Sequence, residues 1–211
     1  CIVALCCVSV YAQPQVEAKG KPVELLISAA ASLTDCMDEL KAAYMQEHPE
    51  VTIKANYGSS GALQQQIEQG APADIFFSAG LSQMNALVAK GLMDEGTVKD
   101  LLENKLVLII PMGGKNLASL QDLASSDITK IAVGDPKSVP AGQYADEAFR
   151  SLGLYDAVKG KLIYAKDVRE VLTWVETGNV QAGLVYETDA KISKKIVISA
   201  VAPEGSHKRV I

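Results

Sequence analysis

Four short segments of the 211-residue chain combine residue types and spacing suited to holding an anion. They are Ala29-Ala30-Ala31-Ser32-Leu33-Thr34, Tyr57-Gly58-Ser59-Ser60-Gly61, Ser138-Val139-Pro140-Ala141-Gly142 and Lys166-Asp167-Val168-Arg169. Each precedes a stretch with helical periodicity. The first three carry no charged side chain, and their small residues let a ligand approach the backbone closely. A helix start exposes N–H groups without carbonyl partners and carries a partial positive charge. A serine hydroxyl there can turn its proton toward the same point. Several such ends meeting would hold a dianion without Lys or Arg, each charge-assisted bond contributing roughly 1.5–3 kcal/mol. Taken singly, each turn has an ordinary structural reading, since Ser before a helix is commonly an N-cap and Gly-Ser-Ser-Gly a turn. Their recurrence shifts the balance toward binding.

The elements that must position these turns alternate along the chain. Strand patterns fall at Val23–Ser28, Val51–Ala55, Asp74–Ser78, Leu106–Ile110, Ile131–Gly134, Lys161–Tyr164, Ala182–Tyr186 and Lys195–Ala200. Helical spacing marks Leu33–His48 (through Leu33, Met37, Leu40 and Tyr44), Gly61–Gln69, Leu81–Lys90, Tyr144–Leu152 and Val168–Thr177, with a helical turn at Leu120–Leu123. Pro49 ends the first helix, and Gly70, Gly91, Gly153 and Gly178 close others. Alternating strands and helices imply parallel βαβ units and an α/β fold. In open α/β sheets ligands bind beyond the carboxyl ends of the strands, which is where the four turns lie.

Composition narrows the function classes. Hydrophobic residues make up 48% of the chain and the net charge is −5, with both signs interspersed. A packed core is expected, and no basic patch points to nucleic acid. Gly58-Ser59-Ser60-Gly61-Ala62 resembles a nucleophile elbow, but Ala62 stands where that motif needs Gly. A serine hydrolase would also need a histidine base. His48 sits at a helix end before Pro49, and His207 lies in a polar segment beside Lys208 and Arg209, so capping and solvated-loop roles are expected for them. Gly113-Gly114-Lys115-Asn116 lacks the spacing of a P-loop, and no Cys/His cluster has metal-ligand spacing.

The N-terminus reads as a processing segment. Cys1–Val10 is an uncharged, mostly apolar run that ends in Val10-Tyr11-Ala12, as in a partial secretory signal peptide spanning residues 1–12. Cys6 and Cys7 leave a lipid-anchored form as the second reading. Residues 13–22 read as a polar linker. Cleavage after Ala12 would leave Cys36 as the sole cysteine, expected as a half-buried small hydrophobe on a helix.

Several motifs, in order from about Val23 onward, give the chain a specific resemblance. Ala29-Ala30-Ala31-Ser32-Leu33-Thr34, Gly70-Ala71-Pro72-Ala73-Asp74-Ile75-Phe76, Ala132-Val133-Gly134-Asp135-Pro136 with Val139-Pro140-Ala141-Gly142, Asp167-Val168-Arg169, Leu184-Val185-Tyr186 and Ser206-His207-Lys208 are similar to those of the periplasmic molybdate-binding proteins of ABC transporters. The resemblance implies a two-lobed type II periplasmic binding protein, with the ligand cleft between βαβ lobes. It divides the chain into lobe 1 over residues 23–104, lobe 2 over 105–199, and a return toward lobe 1 over 200–211 that the family continues for several tens of residues. It implies that molybdate or tungstate is held by the hydroxyls and N–H groups of Ser32 and Ser60, the N–H groups of Ala141 and Val168, and the phenol of Tyr186. Molybdenum would be bound only as its oxyanion, with no cofactor and no direct metal ligand. The implied partner is an ABC transporter membrane permease, and the implied state a monomeric, non-enzymatic protein in the periplasm. A sulfate- or phosphate-binding relative is the alternative within this class. An iron binder with paired tyrosines lacks its second tyrosine, since Tyr186 alone matches a site position.

Overall fold

Residues 21–211 are described by the structure, a computed structural model. The expected signal peptide at 1–12, with Cys1, Cys6 and Cys7, and nearly all of the expected linker lie outside the described residues. The first lobe begins with β1 (Val23–Ala30), a 3-10 turn (Ala31–Leu33) and α1 (Thr34–Glu47). It continues with β2 (Val51–Gly58), α2 (Ser60–Glu68), β3 (Ile75–Phe77) and α3 (Leu81–Ala89). The three strands form a parallel sheet in the order β2-β1-β3. Ala30 pairs with Gly58 and Ala29 with Phe77, so all three carboxyl ends finish at one rim.

The second lobe contains β4 (Leu106–Pro111), β5 (Ile131–Gly134), α4 (Pro140–Ser151), α5 (Tyr155–Val158), β6 (Leu162–Ala165), α6 (Val168–Glu176), β7 (Ala182–Tyr186), α7 (Glu187–Ile192) and β8 (Ile196–Val201). Its sheet runs β6-β5-β7-β4-β8. β5 is parallel to β6 and β7, but β4 is antiparallel to β7 and to β8. The expectation of parallel units therefore holds for the first sheet and not for all of the second. β4 is entered from the other lobe and not from a helix packed on its own sheet, so no βαβ crossover fixes its direction. Leu106 to Ile109 and all of β7 are buried, placing β4 and β7 at the centre of the larger core.

Several local expectations change. α4 starts at Pro140, four residues before the expected Tyr144, because proline at the first helical position costs no hydrogen bond. The third turn is thus partly the first turn of the helix. Gly142 is required there: a Cβ on it would lie 2.0 Å from the Gly134 carbonyl oxygen, so glycine alone lets α4 approach β5. On α1, Met37 is buried, while Leu40 and Tyr44 are 57% and 45% exposed. Cys36 is exposed and not half-buried, since it precedes the single inward residue of that helix. The short α5 and α7 were not expected, being one to two turns long and too brief for a periodic pattern. His48 caps α1, donating its N–H to the Tyr44 carbonyl at 2.8 Å and stacking on the Tyr44 ring.

β8 runs to Val201, and the following residues track along the second lobe. Ala202 donates to the Leu106 carbonyl at 2.9 Å, and Lys208 donates its backbone N–H to Glu147 at 2.9 Å. His207 lies in a loop with its ring 5.6 Å from that of Tyr144. Val210 bridges antiparallel to Asn104, next to where the chain enters the second lobe.

Candidate anion-binding site

The carboxyl ends of β1 and β2 face the helix starts of the second lobe across a small cavity. Ser32, Ser60, Ala141, Val168 and Tyr186 all line it, together with Ala30, Ala31, Gly58, Ser59, Ala79, Val139, Pro140 and Asp167. The fold thus brings the five residues singled out from the sequence to one place, from segments up to 154 positions apart (186 − 32). Neither histidine lines the cavity, and Tyr186 is the single tyrosine that does.

Each position follows from its local structure. Ser60 is the first residue of α2, behind the N-cap Ser59, whose side chain receives the Ala62 N–H at 3.4 Å. Ser60 is fully buried, and its Oγ accepts the Ala79 N–H at 2.9 Å. Because that bond uses a lone pair, the hydroxyl proton remains available to a ligand. Ser32 sits in the 3-10 turn between β1 and α1. Pro140 opens α4 without an N–H of its own, so the Ala141 amide is the first donor of that helix. Val168 is the first residue of α6, and its N-cap Asp167 accepts the Glu170 N–H at 2.9 Å. Tyr186 ends β7, 2% exposed, with its hydroxyl 3.3 Å from the Ala79 carbonyl oxygen. Burial, with smaller contributions from Tyr144 and Asp189, pushes its pKa well above that of an ordinary phenol. Tyr186 therefore stays protonated, and the single proton it gives to the Ala79 carbonyl here is the one it would turn to a ligand.

No lysine or arginine lines the cavity. Positive potential there can come only from backbone dipoles at helix starts, and the one carboxylate, Asp167, accepts the Glu170 N–H as a cap. The lobes are in contact around it. Gly61 donates its N–H to the Ser138 carbonyl at 2.9 Å, and Arg169 of α6 reaches Asp35 of α1 at 2.6 Å. Tyr186 meets Ala79 from the opposite side. The two lobes therefore meet at several points around the cavity.

Three residues at or beside the site escaped the sequence reading. Ala79 bonds both Ser60 and Tyr186 through its backbone, a role that its side chain cannot announce. Arg169 belonged to a recognised motif, yet nothing local revealed its partners. Asp189 is fully buried behind Arg169, on a helix that the periodicity did not reveal.

Comparison with known proteins agrees with this architecture. The profile of the bacterial extracellular solute-binding protein family matches residues 25–210. YvgL of Bacillus subtilis (strain 168) is 48% identical over 192 residues, covering 90% of this chain and 73% of YvgL. The molybdate-binding protein ModA of Haemophilus influenzae is 41% identical over 194 residues, covering 89% of this chain and 76% of ModA. The structure of the Azotobacter vinelandii periplasmic molybdate-binding protein superposes with a TM-score of 0.77 at 23% identity, covering 89% of this chain and 82% of that one, and shares the fold. With identity of this extent spread across both lobes, the chain belongs to the bacterial extracellular solute-binding proteins, in the ModA family of molybdate-binding proteins.

Proposed function

We propose that the protein is the extracytoplasmic substrate-binding component of an ABC importer, taking up molybdate or tungstate as the intact tetrahedral oxyanion and presenting it to a membrane permease. The observation that carries this reading is the convergence of Ser32, Ser60, Ala141, Val168 and Tyr186 on one cavity between the lobes without a cationic side chain. Helix-start amides, two serine hydroxyls and a neutral phenol are all donors, which suits a fully deprotonated dianion. Five or so such bonds support micromolar to nanomolar affinity, about −8 to −12 kcal/mol, after ordering costs. The chain acts by binding and release, as a monomer on the outer side of the membrane, and performs no bond chemistry on its ligand.

Selectivity follows from the donor set. Sulfate is smaller, so fixed donors would be overstretched around it, each losing part of its bond. Phosphate carries a proton at neutral pH, and the groups assigned to the ligand serve as donors, which leaves that proton without a matched acceptor. Calorimetric titration with molybdate, tungstate, sulfate and phosphate tests the reading. Molybdate and tungstate are expected to bind far more tightly than the other two. Sulfate binding as tight as molybdate would transfer the assignment to a general oxyanion carrier.

A further inference from the structure

The anion cavity contains no cation, yet a guanidinium stands directly behind it. Arg169 follows Val168 in the first turn of α6, and its side chain is only 25% exposed. One of its terminal nitrogens lies 2.6 Å from an Asp35 oxygen on α1 and donates to the Ser32 carbonyl at 3.2 Å. Both contacts cross between the lobes. Its Nε lies 2.8 Å from an oxygen of Asp189 on α7, in its own lobe. That approach is off the N–H direction, so neither Arg169 Nε nor the two Asp189 oxygens make a directed side-chain hydrogen bond. Asp189 is fully buried, and a buried carboxylate is costly unless a charge stands beside it. The arginine is therefore held in its own lobe by charge and joined to the other lobe by an ion pair to Asp35 and a hydrogen bond to the Ser32 carbonyl.

We propose that Arg169 is a positioning residue of the anion site: rooted on Asp189, it latches the lobes closed through Asp35 and fixes the Ser32 turn against the start of α6. Arg169 holds the Ser32 carbonyl and directly follows Val168 in the chain, so the same side chain that holds the lobes together sets the distance between two donors from opposite lobes. Its effect on ligand affinity rests on the anion-binding reading, while its effect on closure does not.

Hydrogen exchange of the Gly61 amide, which bonds across the cleft to Ser138, reports closure without any ligand. Asp35 is 57% exposed, so Asp35→Asn removes one end of the latch with the core untouched. Exchange at Gly61 should quicken about two- to fivefold, the scale of a partly exposed ion pair. Arg169→Lys keeps a cation beside Asp189 but cannot span both partners, and should quicken it further. Amides of β4 should be unchanged in each variant, and Glu39→Gln, which removes a charge from the same helix, should leave Gly61 as in the parent. In a second arm, molybdate should dissociate faster from Asp35→Asn by a similar factor, and Asp35→Glu should restore the parent rate. Gly61 exchange that is identical in the parent, Asp35→Asn and Arg169→Lys would overturn the latch. Failure of the parent to bind molybdate would overturn the proposed function, with the exchange result still deciding the latch.

Discussion

Gly61 donates its backbone N–H to the carbonyl of Ser138 at 2.9 Å, and the two residues belong to opposite lobes. A Cβ on Gly61 would stand 2.5 Å from that carbonyl oxygen and 2.7 Å from the Ser138 Cα, with only backbone to give way. Closure of the cleft thus depends on the absence of one methyl group.

Gly61→Ala should prop the lobes apart while leaving each lobe folded. The expected loss is about 1–3 kcal/mol of anion affinity, the usual cost of overpacking. Small-angle scattering with saturating molybdate should show the variant more extended than the parent. Equal compactness with equal affinity would mean that the lobes can close around the extra methyl.

Ser32→Ala and Ser60→Ala should each weaken molybdate binding by about 1–3 kcal/mol, through loss of a hydroxyl donor. They should differ in stability. Ser60 Oγ also accepts the Ala79 N–H, so its loss strands a buried donor and should lower the melting temperature of the ligand-free protein. Ser32 has no such second duty among the described contacts, and its variant should melt with the parent. Unchanged titration curves for both would show that neither hydroxyl holds the ligand.

Tyr186→Phe separates the phenol's donor role from its packing. The ring is buried and should keep its place, while the Ala79 carbonyl loses its donor, so ligand-free stability should fall by about 1 kcal/mol or less. Affinity should fall by about 1 kcal/mol for a neutral donor. Because burial holds the phenol protonated far above neutrality, parent affinity should show no inflection from Tyr186 between about pH 7 and 9. Titrations across that range, with the Phe variant as reference, give the comparison.

Asp189 gives the fold a pH dependence. Burial raises its pKa from 3.8 to about 7, against the opposing pull of Arg169 and the Tyr186 backbone, with Asp35 adding slightly to the rise. A carboxyl whose pKa is raised on folding binds its proton more tightly in the native state. Its contribution is fully present below about pH 4 and is lost as pH rises toward about 7. The parent should therefore lose melting temperature between about pH 4 and 7 relative to Asp189→Asn, which has no proton to lose. Parallel pH profiles for the two proteins would show that Asp189 does not titrate in this window.

The sequence by itself determined the elements and the candidate donors. Apolar runs such as Leu106–Ile110 and Ala182–Tyr186 and the 3.6-residue spacing after Val168 are local signals, and the structure places strands and a helix there. Small uncharged residues between strand and helix marked the turns that hold Ser32, Ser60 and Ala141, and the family resemblance picked out these residues within them. Only the tertiary structure decided how these pieces face one another. The antiparallel entry of β4, the outward side of α1 that carries Cys36, and the bonding of Ala79 to both Ser60 and Tyr186 depend on partners far along the chain. Arg169 is the sharpest case: Asp35 lies 134 residues before it (169 − 35) and Asp189 lies 20 after it (189 − 169), so no local pattern could pair them. A helix start can be read within a few residues because its unpaired amides are a local property. The meeting of two lobes cannot, because it is set by the sum of packing over both.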